Sequence, residues 1–239
     1  WLDEEKRVSL NRNGLLVAST MQAGRDEGAA SVKIAGAAWP AWRDTYLGKR
    51  CDVLLSLADI LERDRYHLAA LQTVEVGKPW READADVAEA IDFCRYYAKQ
   101  AVEELSPTQQ GNMAGEDNQL FYEGRGVTLV IAPWNFPLAI LCGMTTAALV
   151  AGNTVILKPS NNATVTGHAF FQRLMEAGCP DQVAQFLPGP GANVGSYLVE
   201  HPGIAQIAFT GSVEVGLEII KKSAVTKPGQ AQGKKAVCE

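Results

Sequence analysis

The sequence predicts an α/β protein: a parallel sheet of about five strands flanked by helices, preceded by a helical N-terminal region. Three observations carry this. Residues 28–103 repeat apolar positions at helical spacing. From Val127 onward, short β-rich apolar runs alternate with helical stretches. Hydrophobic residues make up 47% and charged residues 21%, a balance suited to a globular chain with a sizeable core.

In the N-terminal region, Arg50 to Arg65 sets Val53, Leu54, Leu57, Ile60 and Leu61 at near-helical spacing. Arg65 to Val76 continues with Leu68, Leu71 and Val74 facing inward, and Gly77 and Pro79 stop that helix. A further helix is expected from about Trp80 to Leu105. Val87, Ala90, Ile91, Cys94 and Tyr97 form its apolar face. Glu82, Asp84, Asp86, Glu89 and Asp92 read as its solvated side, and the early acids favour a helix N-terminus. Residues 106–126 are polar and broken by Pro107, Gly111, Gly115, Gly124 and Gly126. They predict either a projecting hairpin, with a strand over Gln119 to Glu123, or a plain loop.

The strands follow as VTLVI (127–131), TVILK (154–158), VAQFL (183–187), IAQIAF (204–209) and KAVC (235–238). Helices are expected over 137–150, 163–177, 193–200 and 213–222. The alternation implies a Rossmann-like parallel sheet covered on both faces. Ligands on such a sheet bind at the carboxyl ends of its strands.

Each notable motif falls at one of those ends. In APWNFP (132–137) two prolines flank Asn135 and stiffen its loop. An amide held there either donates to a developing oxyanion or satisfies its own loop. In LKPS (157–160) Lys158 ends a buried strand, either to reach a ribose hydroxyl or phosphate or to snorkel to the surface. LPGPG (187–191) is either a tight turn or a place where Gly189 and Gly191 admit a flat ligand such as adenine. In FTGSVEVG (209–216) Ser212 falls at the expected N-cap of a helix, a position suited to phosphate.

Composition excludes several classes. Lys plus Arg is 22 against 27 for Asp plus Glu, so a nucleic-acid partner is not expected. Cys51, Cys94, Cys142, Cys179 and Cys238 form no CxxC, and the three histidines are scattered. No metal site and no disulfide framework are expected, which suits a reducing compartment. The opening residues, Trp1 to Arg7, carry no signal-peptide pattern, so a cytoplasmic location is expected. The chain does not open with Met, and its start is expected to be a fragment boundary. Residues 126–157 are uncharged but broken by Pro and Gly, so no membrane span is expected.

The segments APWNFPLAI (132–140), GNTVILKPS (152–160), EAGCPDQVAQFLPGPG (176–191) and IAFTGSVEVG (207–216) resemble the aldehyde dehydrogenase superfamily in order and spacing. The resemblance covers nearly the whole chain and is most specific from Gly126 onward. VEVGKPWREADADVAEAIDFCRYYA (74–98) is similar to the branch that oxidises L-glutamate γ-semialdehyde in proline catabolism. That branch comprises stand-alone enzymes and the second half of bifunctional proline-utilisation proteins. The resemblance implies that residues 1–239 form an NAD-binding domain: a mainly helical lead-in (1–105), an oligomerisation hairpin or loop (106–126) and a βαβ core (127–239). The full enzyme would be a homo-oligomer acting on a small aldehyde. By motif, Asn135 matches the oxyanion-hole amide and Glu239 the base that activates water for deacylation. Trp134, Lys158, Ser160, Asn161, Gly189, Phe209, Thr210, Gly211 and Ser212 match cofactor-binding positions. Asn161 stands where the family often has Glu; the loss of that charge removes a repulsion toward a 2′-phosphate, so NAD is expected with NADP as the alternative. None of the five cysteines matches the family's nucleophile. The chain is therefore expected to lack the catalytic domain and to be inactive alone, with an exposed apolar docking surface. The alternative readings are an aldehyde dehydrogenase of other substrate specificity and a non-catalytic nucleotide-binding module.

Overall fold

The computed structural model describes residues 6–10, 16–226, 230 and 232–239. Residues 1–5, within the opening stretch, lie outside the described residues. Two antiparallel strands, β1 (Lys6–Leu10) and β2 (Leu16–Met21), begin the chain. This strand pair is not foreseen in the sequence. Four helices follow: α1 (Arg25–Arg43), α2 (Leu47–Arg63), α3 (Arg65–Val76) and α4 (Trp80–Leu105). In α2, Val53, Leu54, Leu57, Ala58 and Leu61 are buried, as their spacing dictates.

Two assignments of facing need correction, one in each direction. Val74 is exposed, and α3 instead buries Leu68, Ala69, Gln72 and Glu75. Asp86, read as part of a solvated acidic side, is fully buried. Its Cβ lies on the same stripe as the buried Ala83 and Ala90, so helical register places it against the core whatever its charge.

Residues 106–126 project as a hairpin: β3 (Thr108–Gln109) pairs antiparallel with β4 (Gln119–Leu120), and all four residues are exposed. The second strand is shorter than expected. The sheet then builds from β5 (Val127–Ile131), α5 (Ala139–Val150), β6 (Thr154–Lys158), α6 (Thr164–Glu176), β7 (Ala184–Phe186), α7 (Ser196–Glu200), β8 (Ile204–Phe209), α8 (Val213–Ser223) and β9 (Lys235–Cys238). Strand order is β7-β6-β5-β8-β9, with every neighbouring pair parallel.

Alternation along the strands feeds two cores. Val130, Val155 and Leu157 pack into a core with α2 to α6. Leu129, Ile156, Ile207 and Phe209 pack into a second with α1, α7 and α8. Coverage is incomplete, unlike the expectation of two covered faces. Beside α4 and α5, the β8–β9 edge leaves a groove of about 790 Å³, lined by Phe93, Tyr97, Ile140, Met144, Ala208 and Val237. α8 packs on the opposite face and exposes Val213, Leu217 and Ile220 outward. Apolar side chains are thus exposed on both of these faces. Among the described residues, no helix is long and apolar enough to cross a membrane.

Charged groups join the layers. The Arg50 guanidinium is buried and donates to the carbonyls of Val150 (3.0 Å), Arg43 (2.8 Å) and Thr45 (2.7 Å). These lie at the carboxyl ends of α5 and α1, whose dipoles favour a cation. Asp64, at the α2–α3 junction, meets Arg63 at 2.8 Å and Arg173 of α6 at 3.0 Å. Their guanidiniums hold its carboxyl down at about 2. The folded value lies below the unfolded one, so this stability is present above about pH 4 and is lost as pH falls toward 2. Asp64→Asn should therefore be less stable than wild type in urea melts at pH 7, and the gap should narrow steadily as pH falls from about 4 toward 2. A gap independent of pH would count against this role.

Candidate functional site

Because all five strands are parallel, their carboxyl ends share one edge, and every motif noted in the sequence stands there. β6 and β7 extend from one side of β5, and β8 and β9 from the other. The order reverses between β5 and β8, which opens the crevice where such sheets take ligands. Residues 132–137 and 210–212 flank it. Main-chain bonds continue the ladder past the strands and fix this rim: Thr210 N donates to Ile131 O (3.2 Å), Glu239 N to Phe209 O (3.0 Å) and Gly211 N to Glu239 O (3.1 Å). Thr210 Oγ1 also donates to Met144 Sδ at 3.7 Å, and Thr210 and Glu239 line the groove over α5.

In the first loop, Trp134 and Asn135 are exposed, while Pro137 and Leu138 are buried. The main-chain carbonyl of Asn135 accepts a 2.8 Å bond from Lys78 Nζ. That ammonium lies 3.6 Å from the Phe136 ring centroid and 3.8 Å from Asp86 Oδ2. The Asp86 carboxylate accepts from Leu138 N (3.4 Å) and Ala139 N (3.1 Å), at the first turn of α5. Burial pushes its carboxyl up to about 6, against the pull of Lys78 and the two amides. Burial likewise lowers the Lys78 ammonium, opposed by Asp86.

At the end of β6, Lys158 is 95% buried, since only 5% of its surface is exposed. The snorkelling alternative is thereby excluded. Its Nζ makes a long 3.4 Å bond to its neighbour's carbonyl, Pro159 O, and burial alone lowers its ammonium to about 8. A Cβ on Gly195 would lie 3.0 Å from Lys158 Cε, so the 191–195 turn closes over the side chain. Ser160 Oγ accepts from Asn162 N at 3.3 Å. The buried Asn161 Oδ1 has no hydrogen-bond partner among the described residues. Gly189 has a reason other than ligand approach for lacking a side chain: a Cβ there would stand 2.7 Å from Ala23 O, where the chain entering α1 bonds to Pro188 O.

The helices that follow β5, β6 and β8 differ at their N-termini. The amides of α5 are taken by Asp86. Those of α6 are taken by Glu75, which accepts from Val165 N (2.7 Å), Thr166 N (2.7 Å) and Thr166 Oγ1 (2.6 Å). α8 starts instead at Ser212, the N-cap the sequence predicts, whose Oγ accepts from Val215 N at 3.4 Å. No carboxylate from the helical layer is seated on it in the hydrogen bonds described. It is the start of these three best suited to an anionic group. Phe209 is buried, with its ring beneath Gly211 and Gly216, so its side chain supports this loop from below.

Sequence reading missed Lys78, Glu75 and Asp86, the three charges that brace the rim from the helical layer. A Lys between a helix-stopping Gly and Pro, and acids in register with buried alanines, were the available signals.

The family model for the aldehyde dehydrogenase family matches residues 1–237. A curated 1-pyrroline-5-carboxylate dehydrogenase of Bacillus pumilus is 43% identical over 238 residues, 99% of this chain and 46% of that protein. The solved 1-pyrroline-5-carboxylate dehydrogenase from Thermus with bound NAD is 45% identical, with a TM-score of 0.96, over 99% of this chain and 46% of that one. Proline utilization A from Bdellovibrio bacteriovorus, inactivated by N-propargylglycine, is 44% identical with a TM-score of 0.97; the match covers all of this chain and 25% of that one. The chain thus spans about half the length of the curated relatives it matches. With the family model covering nearly every residue and the same fold in solved relatives, this chain belongs to the aldehyde dehydrogenase family.

Proposed function

We propose that this chain is the cofactor-binding half of an NAD-dependent aldehyde dehydrogenase. The reaction would oxidise L-glutamate γ-semialdehyde, the open form of Δ1-pyrroline-5-carboxylate, to L-glutamate. The observation that carries the reading is the crevice between β5 and β8, with Asn135 on one lip and the open start of α8 on the other. The names of the relatives support the substrate.

The residues present suit the cofactor. Among the described residues, Asn161 Oδ1 is buried and unpartnered, and Lys158 is a buried cation held by one long bond. Both need a polar partner. Lys158, Ser160 and Asn161 would hold the adenosine ribose, with Gly189 near the adenine. Thr210, Gly211 and Ser212 would take the pyrophosphate, and Trp134 and Phe209 would shape the nicotinamide end. When bound, NAD supplies the hydride acceptor. The Asn135 amide would donate to the oxyanion that develops on the aldehyde oxygen. Glu239 would take the proton from the water that releases the acid. Because Asn161 carries no charge, NADP is a second candidate, tested by comparing kcat/KM for the two cofactors. The 106–126 hairpin would serve homo-oligomer assembly, and the enzyme would work in the cytoplasm.

The test is NADH formation from glutamate γ-semialdehyde by the full-length enzyme. Lys158→Ala should raise the cofactor KM roughly tenfold or more, the cost of a charged hydrogen bond, with kcat changed less. An unchanged cofactor KM would remove Lys158 from the cofactor site.

A further inference from the structure

We propose that Lys78 and Asp86 form a positioning pair for Asn135, fixing the oxyanion loop from the helical layer behind it. The proposal rests on the aldehyde-oxidising reading above. The 132–137 loop has little means of holding itself. Pro133 and Pro137 have no N–H to donate, and both Trp134 and Asn135 face solvent. The loop is gripped instead at two points. Lys78 Nζ holds the Asn135 carbonyl at 2.8 Å and packs 3.6 Å from the Phe136 ring centroid. Asp86 holds Leu138 N and Ala139 N, where the loop becomes α5.

The two grips are joined, because Lys78 and Asp86 face each other at 3.8 Å with 6% and 0% of their surfaces exposed. Lys78 sits at the turn into α4 and Asp86 two turns along it. The start of α4 and the turn leading into it therefore set both the peptide of Asn135 and the first turn that follows. A carbonyl bond on the same residue constrains where its side-chain amide stands. An oxyanion donor is sensitive to displacements of about 1 Å, which cost up to 10²-fold in rate.

The experiment is a double-mutant cycle in the full-length enzyme at saturating aldehyde and cofactor. Lys78→Met should lower kcat about tenfold or more. The cofactor dissociation constant, read by tryptophan fluorescence, should stay unchanged, and Lys78→Arg should recover much of the rate. In an Asn135→Ala background, Lys78→Met should cost little more, because the group it positions is gone. Full multiplication of the two effects, no loss of rate in Lys78→Met, or loss of cofactor affinity in step with kcat would each overturn the positioning role. Asp86→Asn keeps the volume and an acceptor oxygen, and it carries the same cycle if thermal melting shows that Lys78→Met does not fold. If Asn135→Ala itself leaves kcat intact, the functional reading fails instead.

Discussion

Replacing Asn135 by Ala in the full-length enzyme should lower kcat by about 10²–10³, the usual cost of removing one oxyanion donor. The side chain is exposed at the crevice lip while its own carbonyl is anchored, so removing the amide should leave the loop where it is. Uniform binding is untouched, and the cofactor KM should hold steady while kcat and kcat/KM fall together. Stopped-flow measurement of the acylation and hydride-transfer phases is the decisive check. A near wild-type rate in those phases, with either one shown to limit turnover, would remove Asn135 from the chemistry.

The 239-residue chain by itself should form no NADH from glutamate γ-semialdehyde. Family chemistry needs an accessible thiolate. Here Cys51, Cys94, Cys142 and Cys179 are all buried, and Cys238 is half-buried. Burial pushes the Cys179 thiol up to about 12 and raises Cys51, Cys142 and Cys238 as well. Cys94 faces Cys142 at 3.5 Å, both wholly enclosed between α4 and α5. No cysteine of the chain has the exposed, electropositive setting of a nucleophile. Glu239 would have no acyl group to release. Turnover by a purified, contaminant-free preparation would show that the nucleophile has been misplaced. Light scattering on the same sample should find self-association, driven by the apolar groove and the outward face of α8.

Much of the sheet was legible because its signals are local. β5, β6, β8 and β9 fall on their apolar runs residue for residue, and Ser212 caps α8 as its hydroxyl and position require. The motifs share one edge because parallel strands end together, so their convergence was legible too. The braces were less so. Charge makes Glu75 and Asp86 read as solvent-facing, and only a partner distant in sequence, an uncapped helix start, turns burial into an advantage. A packing role for Gly189 was likewise hidden: a Cβ there would meet Ala23 O, far upstream, whose approach no local pattern announces. The opening strand pair was missed although Val8, Leu10, Leu16 and Val17 supply apolar positions on the two strands.

The carboxylates seated on α5 and α6 bear on how portable this nucleotide-binding unit is. A graft cut at Gly126 would carry every strand of the parallel sheet and nearly every motif, yet it would leave the first turns of two helices with donors and nothing to accept them. Each orphaned buried amide costs about 1–3 kcal/mol, a large share of a small domain's stability. The smallest piece that can be transplanted or recombined intact therefore begins upstream of Arg65 and keeps α3 and α4 with the sheet. Crossovers in a chimeric library should be tolerated in the exposed 110–118 stretch only if both parents supply an acid at the positions of Glu75 and Asp86 and matching amides across the sheet.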